Sequence, residues 1–186
     1  MQILLLENKT NSLFRRKSFF WISTHVAGTT CGNQFGVSRN CQLCSVKVMN
    51  ADGGGTISDI IAGINHVVAK CSAVGSLCVA NISLGGVGYN EIFNAAVSSA
   101  VSKGVVVVVA AGNSNEDACS YSPSSTESAI TVGSSAMNDQ KSSFSNWGSC
   151  IDVYAPGSDI TSSWNSSPAA TNIISGTSMA TPRKFW

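Results

Sequence analysis

From residue 43 onward, short apolar runs alternate with longer stretches in which apolar residues return every three to four positions. The first rhythm is that of strands, the second that of helices. Residues 43–48 form a short β-type run. Ser58 and Asp59 then read as a helix start, followed by Ile60, Ile61, Ile64, Val67 and Val68 at helical spacing. Residues 79–84 read as a second strand. Residues 90–103 read as a helix, with Ile92, Phe93, Ala96, Val97 and Ala100 on one face and Gly104 as its stop. Residues 105–110 are five valines and an alanine, an unbroken run that suits a central parallel strand buried on both faces. Residues 130–133 and 151–154 read as further strands.

This β-α-β-α-β order predicts an α/β fold, a mostly parallel sheet with helices on both faces. Ligands of such sheets bind beyond the carboxyl ends of the strands. Two predicted strands end in suggestive loops, Ser83-Leu84-Gly85-Gly86 and Ala110-Ala111-Gly112-Asn113. Glycine admits a second backbone, and Asn113 brings an amide donor. Either loop alone reads equally as turn chemistry.

Composition narrows the function classes. A chain of 186 residues is long enough for one domain with its own core. Apolar residues at 44% exclude a disordered chain. Charged residues are only 11%, against about 25% in an average soluble domain. Small polar residues replace them, with 31 serines and 17 glycines. A net charge of +1 excludes a dedicated nucleic-acid binder. No apolar run approaches the ~20 residues of a membrane-spanning helix, so no membrane partner is expected. Basic residues gather at the ends, as Lys9, Arg15, Arg16 and Lys17, then Arg183 and Lys184. The run at 15–17 reads as a solvated charge cluster. Residues 2–6 are too short an apolar stretch for a secretory signal, which needs roughly 7–15.

Seven cysteines suggest an oxidising compartment, and their odd number leaves at least one thiol outside any intrachain bridge. Cys41 and Cys44 have C-x-x-C spacing, but no second pair follows at ligand spacing. They read as two cysteines entering a strand, one facing the core. His66 sits among apolar residues and reads as a core or helix-surface histidine.

Near the end stands Ser175-Gly176-Thr177-Ser178-Met179-Ala180-Thr181-Pro182. Small neighbours would expose the Ser178 hydroxyl, and a following helix would aim amide donors at an oxyanion. The string resembles the nucleophile motif of the subtilisin-like serine proteases (peptidase S8), especially their proteinase K branch. Thr24-His25-Val26-Ala27-Gly28-Thr29, Ser83-Leu84-Gly85-Gly86, Ala110-Ala111-Gly112-Asn113, Ser143-Phe144-Ser145-Asn146 and Ala155-Pro156-Gly157 follow in family order. The resemblance implies a three-layer subtilisin-like α/β fold, incomplete at both ends. Residues 24–182 would be a partial peptidase domain, with 1–23 and 183–186 outside it.

The resemblance further implies peptide-bond hydrolysis by acyl transfer. Ser178 would be the nucleophile and Asn113 the oxyanion-hole donor. Gly53 and Gly55 would form one edge of the substrate cleft, and Ser83, Leu84 and Gly85 the other. Ala111 and Gly112 would wall the pocket for the side chain before the cut. Ile57 takes the place of an aromatic residue beside the cleft. Polypeptide substrates, or an inhibitory pro-segment, would bind as an added strand to a monomer. No cofactor is required for the chemistry. Cys119 and Cys150 fall where a bridge is expected; Cys31, Cys41, Cys44, Cys71 and Cys78 match none. Asp152, with the Ala129 carbonyl, is either a calcium ligand pair or an ordinary solvated turn. Family and cysteines together imply the secretory pathway or the extracellular space. Sequons stand at Asn8, Asn81 and Asn165, and Asn81 is expected to stay unmodified in a core strand.

The match breaks at the base. The family's His-Gly-Thr-His reads here Ile22-Ser23-Thr24-His25. Ile22 cannot accept a proton. His25 matches a structural histidine, about one helical turn, roughly 5 Å, from where the base belongs. The orienting aspartate should lie upstream, yet the first Asp is Asp52. Eight residues follow Ser178, where the family has a long buried helix. The expectation is a truncated or mis-assembled gene product with little peptidase activity. The competing reading is a non-catalytic, protease-like module that binds extended peptides.

Overall fold

The valine run settles the middle of the sheet. In the computed structural model, Val105, Val107 and Val109 point into one apolar layer and Val106 and Val108 into the opposite one. Both faces of this strand are covered, so period-two alternation puts hydrophobic side chains on both sides. The structure describes residues 2–7, 21–39, 41–50, 52–75, 77–86 and 88–184. The basic run at 15–17 and the Asn8 sequon lie outside them.

Eight strands and four α-helices follow in the order β1 (Gln2–Glu7), α1 (Trp21–Cys31), β2 (Gln42–Lys47), α2 (Ile57–Val74), β3 (Cys78–Ile82), α3 (Glu91–Ser102), β4 (Val105–Ala110), β5 (Ile130–Ser135), β6 (Val153–Pro156), β7 (Ile160–Ser163), β8 (Thr171–Ile174) and α4 (Thr177–Ala180) among the described residues. A six-stranded sheet runs β2-β1-β3-β4-β5-β6, and β7 and β8 form a separate antiparallel pair. Strands β3 to β6 are parallel neighbours. Helices α2 and α3 cover one face, α2 over β1 and β2 and α3 over β4, and Ile60, Ile64, Val67, Phe93 and Val97 join one core there. Helix α4 covers the other, where Ala180 meets Val108, Val132 and Ala155. Helix α1 packs beside α4, against β7. Gly28 makes that contact possible, since a Cβ there would lie 2.4 Å from Ser162 Oγ.

Caps set the helix boundaries. Thr56 accepts from the Asp59 amide at 3.1 Å and its hydroxyl donates to the Asp59 carboxylate at 2.7 Å, so α2 begins at Ile57 rather than at Ser58. Gly75, in the left-handed region, ends it by donating to the Cys71 carbonyl. Asn90 caps α3 through the Phe93 amide at 2.9 Å.

Three features depart from the sequence pattern. The first residues form a strand, β1, inserted antiparallel between β2 and β3, with Ile3 fully buried. Helix α1 then runs unbroken across residues 23 and 24. The β7–β8 pair alternates short polar and apolar side chains too weakly to announce itself. Ser178 itself lies in the four-residue helix α4, which a 3-10 turn at Thr181–Lys184 follows.

Two bridges form among the described residues. Cys119–Cys150 has Cα atoms 5.4 Å apart, as the resemblance implied. Cys31–Cys41, with Cα atoms 5.6 Å apart, ties the end of α1 to the start of β2 and had no sequence signal. The C-x-x-C pair is thereby divided, with Cys41 bridged and Cys44 packed against the core. Asn81 is fully buried in β3, where its amide donates to Ser83 Oγ at 2.8 Å.

Candidate active site

The loops after β3 and β4 and the start of α4 meet beyond the carboxyl ends of the parallel strands. Ser178, the second residue of α4, is half-buried. Its hydroxyl donates to the Ser83 carbonyl at 3.1 Å. Ser83 Oγ donates back to the Ser178 carbonyl at 3.2 Å. This reciprocal pair pins α4 to the end of β3.

Asn113 is oriented by its neighbour across the cleft. Its Oδ1 accepts from the Thr177 amide at 2.8 Å and from Thr177 Oγ1 at 2.9 Å. Two donors on one oxygen settle which way the amide points, and its NH2 edge is left for the cavity. The Gly112 amide donates in turn to Thr177 Oγ1 at 3.3 Å.

Beneath this loop lies Asn146, fully buried. Its Nδ2 donates to the Ala111 carbonyl at 2.9 Å, and its Oδ1 accepts from the amides of Ser114 at 2.9 Å and Glu116 at 3.2 Å. Gly112 has φ +103°, and a Cβ there would come within 2.4 Å of Asn146 Nδ2. Only glycine lets the loop close over this side chain. Neither Asn146 nor Thr177 received a role from the sequence, although both lie inside recognised motifs. Their partners are 30 to 65 residues away, a separation no local pattern records.

Ser178 and Asn113 stand on the divide between two cavities. One, of about 280 Å³, is lined by Ser83, Leu84, Gly85, Ala111, Gly112 and other residues of the two loops, with Tyr121 and Asn146. The Tyr121 phenol is held above its ordinary pKa chiefly by its hydrogen bond to Glu116. The other cavity, of about 320 Å³, has Trp21, Ile22, Ile174, Ser175, Gly176 and Met179 on its wall. Ile22, which the sequence resemblance aligned with the base of the family motif, lines this cavity together with Ser178.

His25 is elsewhere. It is fully buried, with Nε2 2.9 Å from the Ile160 carbonyl on β7. Burial pulls its pKa below the ordinary value; the carbonyls of Ile160 and Asn172 oppose this, and Arg183 adds to it. His66 is exposed on α2.

The remaining expected residues separate from this cluster. Gly55 lines a different cavity of about 700 Å³ at the junction of β2 and α2, with Lys47, Met49 and Asp59, and Gly53 lines neither. Ile57 packs into the main core. Asp152 is exposed, and its Oδ2 accepts from the Thr131 amide at 2.7 Å. Among the described residues no three His, Cys, Asp or Glu side chains cluster as metal ligands. Calcium wants six or more oxygens, backbone carbonyls and waters included, and one oxygen of the Asp152 carboxylate already accepts from a backbone amide.

A parallel sheet layered by helices, with a helix-borne serine and a loop asparagine beyond its strand ends, defines a subtilisin-like α/β domain. The peptidase S8 model, described as the subtilase family, matches residues 23–183, and the chain belongs to that family. It is 52% identical over 159 residues to alkaline serine exoprotease A of Vibrio alginolyticus, a match covering 86% of this chain and 29% of that protein. It is 51% identical over 161 residues to a subtilase-type proteinase of Schizosaccharomyces pombe, covering 86% of this chain and 36% of the relative. The crystal structure of a cold-adapted subtilisin-like serine proteinase superposes with a TM-score of 0.82 at 47% identity, over 88% of this chain and 57% of that one. The chain thus spans about a third of the length of these curated relatives.

Proposed function

We propose that this chain carries the acyl-transfer and polypeptide-binding half of a serine endopeptidase, and that it binds extended polypeptides far better than it cuts them. Ser178 would be the nucleophile and the Asn113 amide the oxyanion donor, with Ser83, Leu84, Gly85, Ala111 and Gly112 around the residue before the cut. Gly53 and Gly55 would serve a more distant part of the same strand-like ligand. The chemistry needs no cofactor. The observation that carries this reading is the cavity shared by Ser178, Asn113 and Ile22.

An isoleucine has no lone pair for the Ser178 proton. His25 has its Nε2 committed to the Ile160 carbonyl on the far side of α1. A proton acceptor has to come within about 3 Å of the hydroxyl. Without one, attack by Ser178 depends on solvent, and loss of a triad member lowers rates by several powers of ten. Oriented binding and the oxyanion donor would preserve a small remainder.

Two bridges, and a relative named an extracellular serine proteinase, support an oxidising, secretory setting. The motifs favour the proteinase K branch, with polypeptide or an inhibitory pro-segment as partner and a monomeric state.

The test pairs cleavage with binding. A fluorogenic peptide series should give no turnover above a Ser178→Ala variant by more than a trace, while fluorescence anisotropy detects binding of the same peptides. Ordinary protease turnover that Ser178→Ala abolishes would overturn the reading, as would the absence of any peptide binding.

A further inference from the structure

Residues 113–116 are all exposed, so the loop that carries Asn113 has no core side chain of its own to fix it. A donor for a developing oxyanion has to be held within about 0.5 Å of its place. That accuracy must come from polar contacts. Asn146 supplies one set from beneath the loop. A second set comes from the solvent side.

Lys141 is exposed, yet its ammonium is not left to water. It donates to Asn115 Oδ1 at 2.9 Å, to the Ser145 carbonyl at 3.1 Å and to the Ser142 carbonyl at 3.2 Å. An ammonium has three donors, and all of them are directed at protein oxygens. A surface lysine ordinarily keeps its hydration and its rotamer freedom, so giving up both marks a specific clamp. The clamp is anchored on the sheet. The Lys141 backbone bridges to Ser135 at the end of β5, and the next amide, Ser142, donates to the Ser134 carbonyl at 2.8 Å. Its far end is Asn115, whose φ of +54° lies in the left-handed region that a non-glycine residue enters only with support. The Asn115 amide donates to the Phe144 carbonyl at 2.9 Å, and its carbonyl accepts from Trp147 Nε1 at 3.1 Å. Residues 141–147 therefore grip Asn115 by backbone and side chain together.

We infer that Lys141 is a positioning residue for the Asn113 amide: its ammonium, anchored on β5, fixes the left-handed turn at Asn115 and through it the placement of Asn113 beside Ser178. The inference rests on the reading of Asn113 as the oxyanion donor and goes beyond it by naming the cation that holds that donor in place. Asn113 and Asn115 are separated only by Ser114, whose amide is tied to Asn146 Oδ1 at 2.9 Å. A turn of Asn115 away from its left-handed conformation therefore has to be absorbed at Asn113, because Ser114 is pinned between them. Methionine at 141 would keep the length and apolar stem of the side chain but release Asn115 Oδ1 and two carbonyls to water. Arginine would keep the charge and the donors.

The experiment labels the intact chain with a fluorophosphonate and reads the rate by mass spectrometry. The Ser178 Oγ–P bond forms, the P–F bond breaks, fluoride leaves, the hydroxyl proton passes to buffer, and the phosphoryl oxygen takes the oxyanion's place. Lys141→Met should label about tenfold more slowly than the parent, and Lys141→Arg should recover part of that loss. Asn113→Ala should also slow labelling, and adding Lys141→Met to it should bring no further loss, because the clamp acts through that amide alone. Hydrogen exchange at the amides of residues 114–116 should quicken in Lys141→Met while β4 stays protected. Parental labelling by Lys141→Met, a second tenfold loss on top of Asn113→Ala, or loss of protection throughout β4 would overturn this inference and leave the role of Asn113 standing. Parental labelling by Asn113→Ala would overturn the reading of Asn113 as donor and this inference together.

Discussion

Ser178 and Ser83 exchange hydrogen bonds in both directions, hydroxyl to carbonyl at 3.1 Å and at 3.2 Å. The Ser178 hydroxyl proton is thus committed to a peptide oxygen, which is far too weak a base to remove it. Asn81 supports the arrangement from within β3 by donating to Ser83 Oγ. Everything expected of the chain's chemistry follows from what could compete with that carbonyl.

An imidazole could. Ile22 lines the cavity next to Ser178, so Ile22→His would bring a nitrogen to the wall facing the hydroxyl. Labelling of Ser178 by a fluorophosphonate, which forms an Oγ–P bond and releases fluoride, should accelerate on the order of tenfold to a hundredfold. Full protease rates are not expected, because a histidine works poorly without an orienting acid. No acceleration, or acceleration that survives Ser178→Ala, would contradict the placement of Ile22.

Asn146 holds three backbone groups of the 111–116 loop, of which the Ala111 carbonyl belongs to a fully buried residue. Asn146→Ala should destabilise the protein by about 1–3 kcal/mol, the cost of an orphaned buried group. Peptide binding should weaken with it, since Asn113 loses its foundation. A urea midpoint shift equivalent to under about 1 kcal/mol would count against this role.

His25 gives a signed pH dependence. Its folded pKa lies below the value of about 6.5 that it has in an unfolded chain. Below that pH the unfolded chain takes up a proton that the buried imidazole refuses. Stability is therefore complete above about pH 6.5 and declines as pH falls through the folded value. Urea midpoints measured from pH 7.5 to 5, above most carboxylate titration, should drop toward acid. His25→Gln should flatten the slope; an unchanged slope in that variant would sink the assignment.

The Cys119–Cys150 bridge closes a loop with a sequence separation of 31. Loop-entropy reasoning gives a loss of about 3–4 kcal/mol for Cys119→Ser with Cys150→Ser. Calorimetry of that double variant beside the parent measures it directly, and equal melting temperatures would show that the bridge adds nothing.

Local order carried most of the fold. The valine run of β4 and the apolar stripes of α2 and α3 act over three to seven residues, within reach of periodicity, although the cap of α2 is Thr56 and not the expected Ser58. So did the motif around Ser178 and the substitution at Ile22, because family resemblance compares residues position by position. Pairings across long separations were not legible. The insertion of β1 between β2 and β3, the Cys31–Cys41 bridge, the β7–β8 pair, and the hold of Asn146 on the 111–116 loop depend on which segments meet after collapse. Sequence alone pointed to a subtilase-like chain and, by resemblance, to an isoleucine where a base is expected. Only the tertiary structure decided that this isoleucine is buttressed by Val26, Ile160 and Met179, that His25 turns toward β7, and that an apolar cavity opens beside the serine. The reason is physical: composition and spacing report what each segment prefers, whereas a cavity is made of surfaces from several segments and exists only once they are packed.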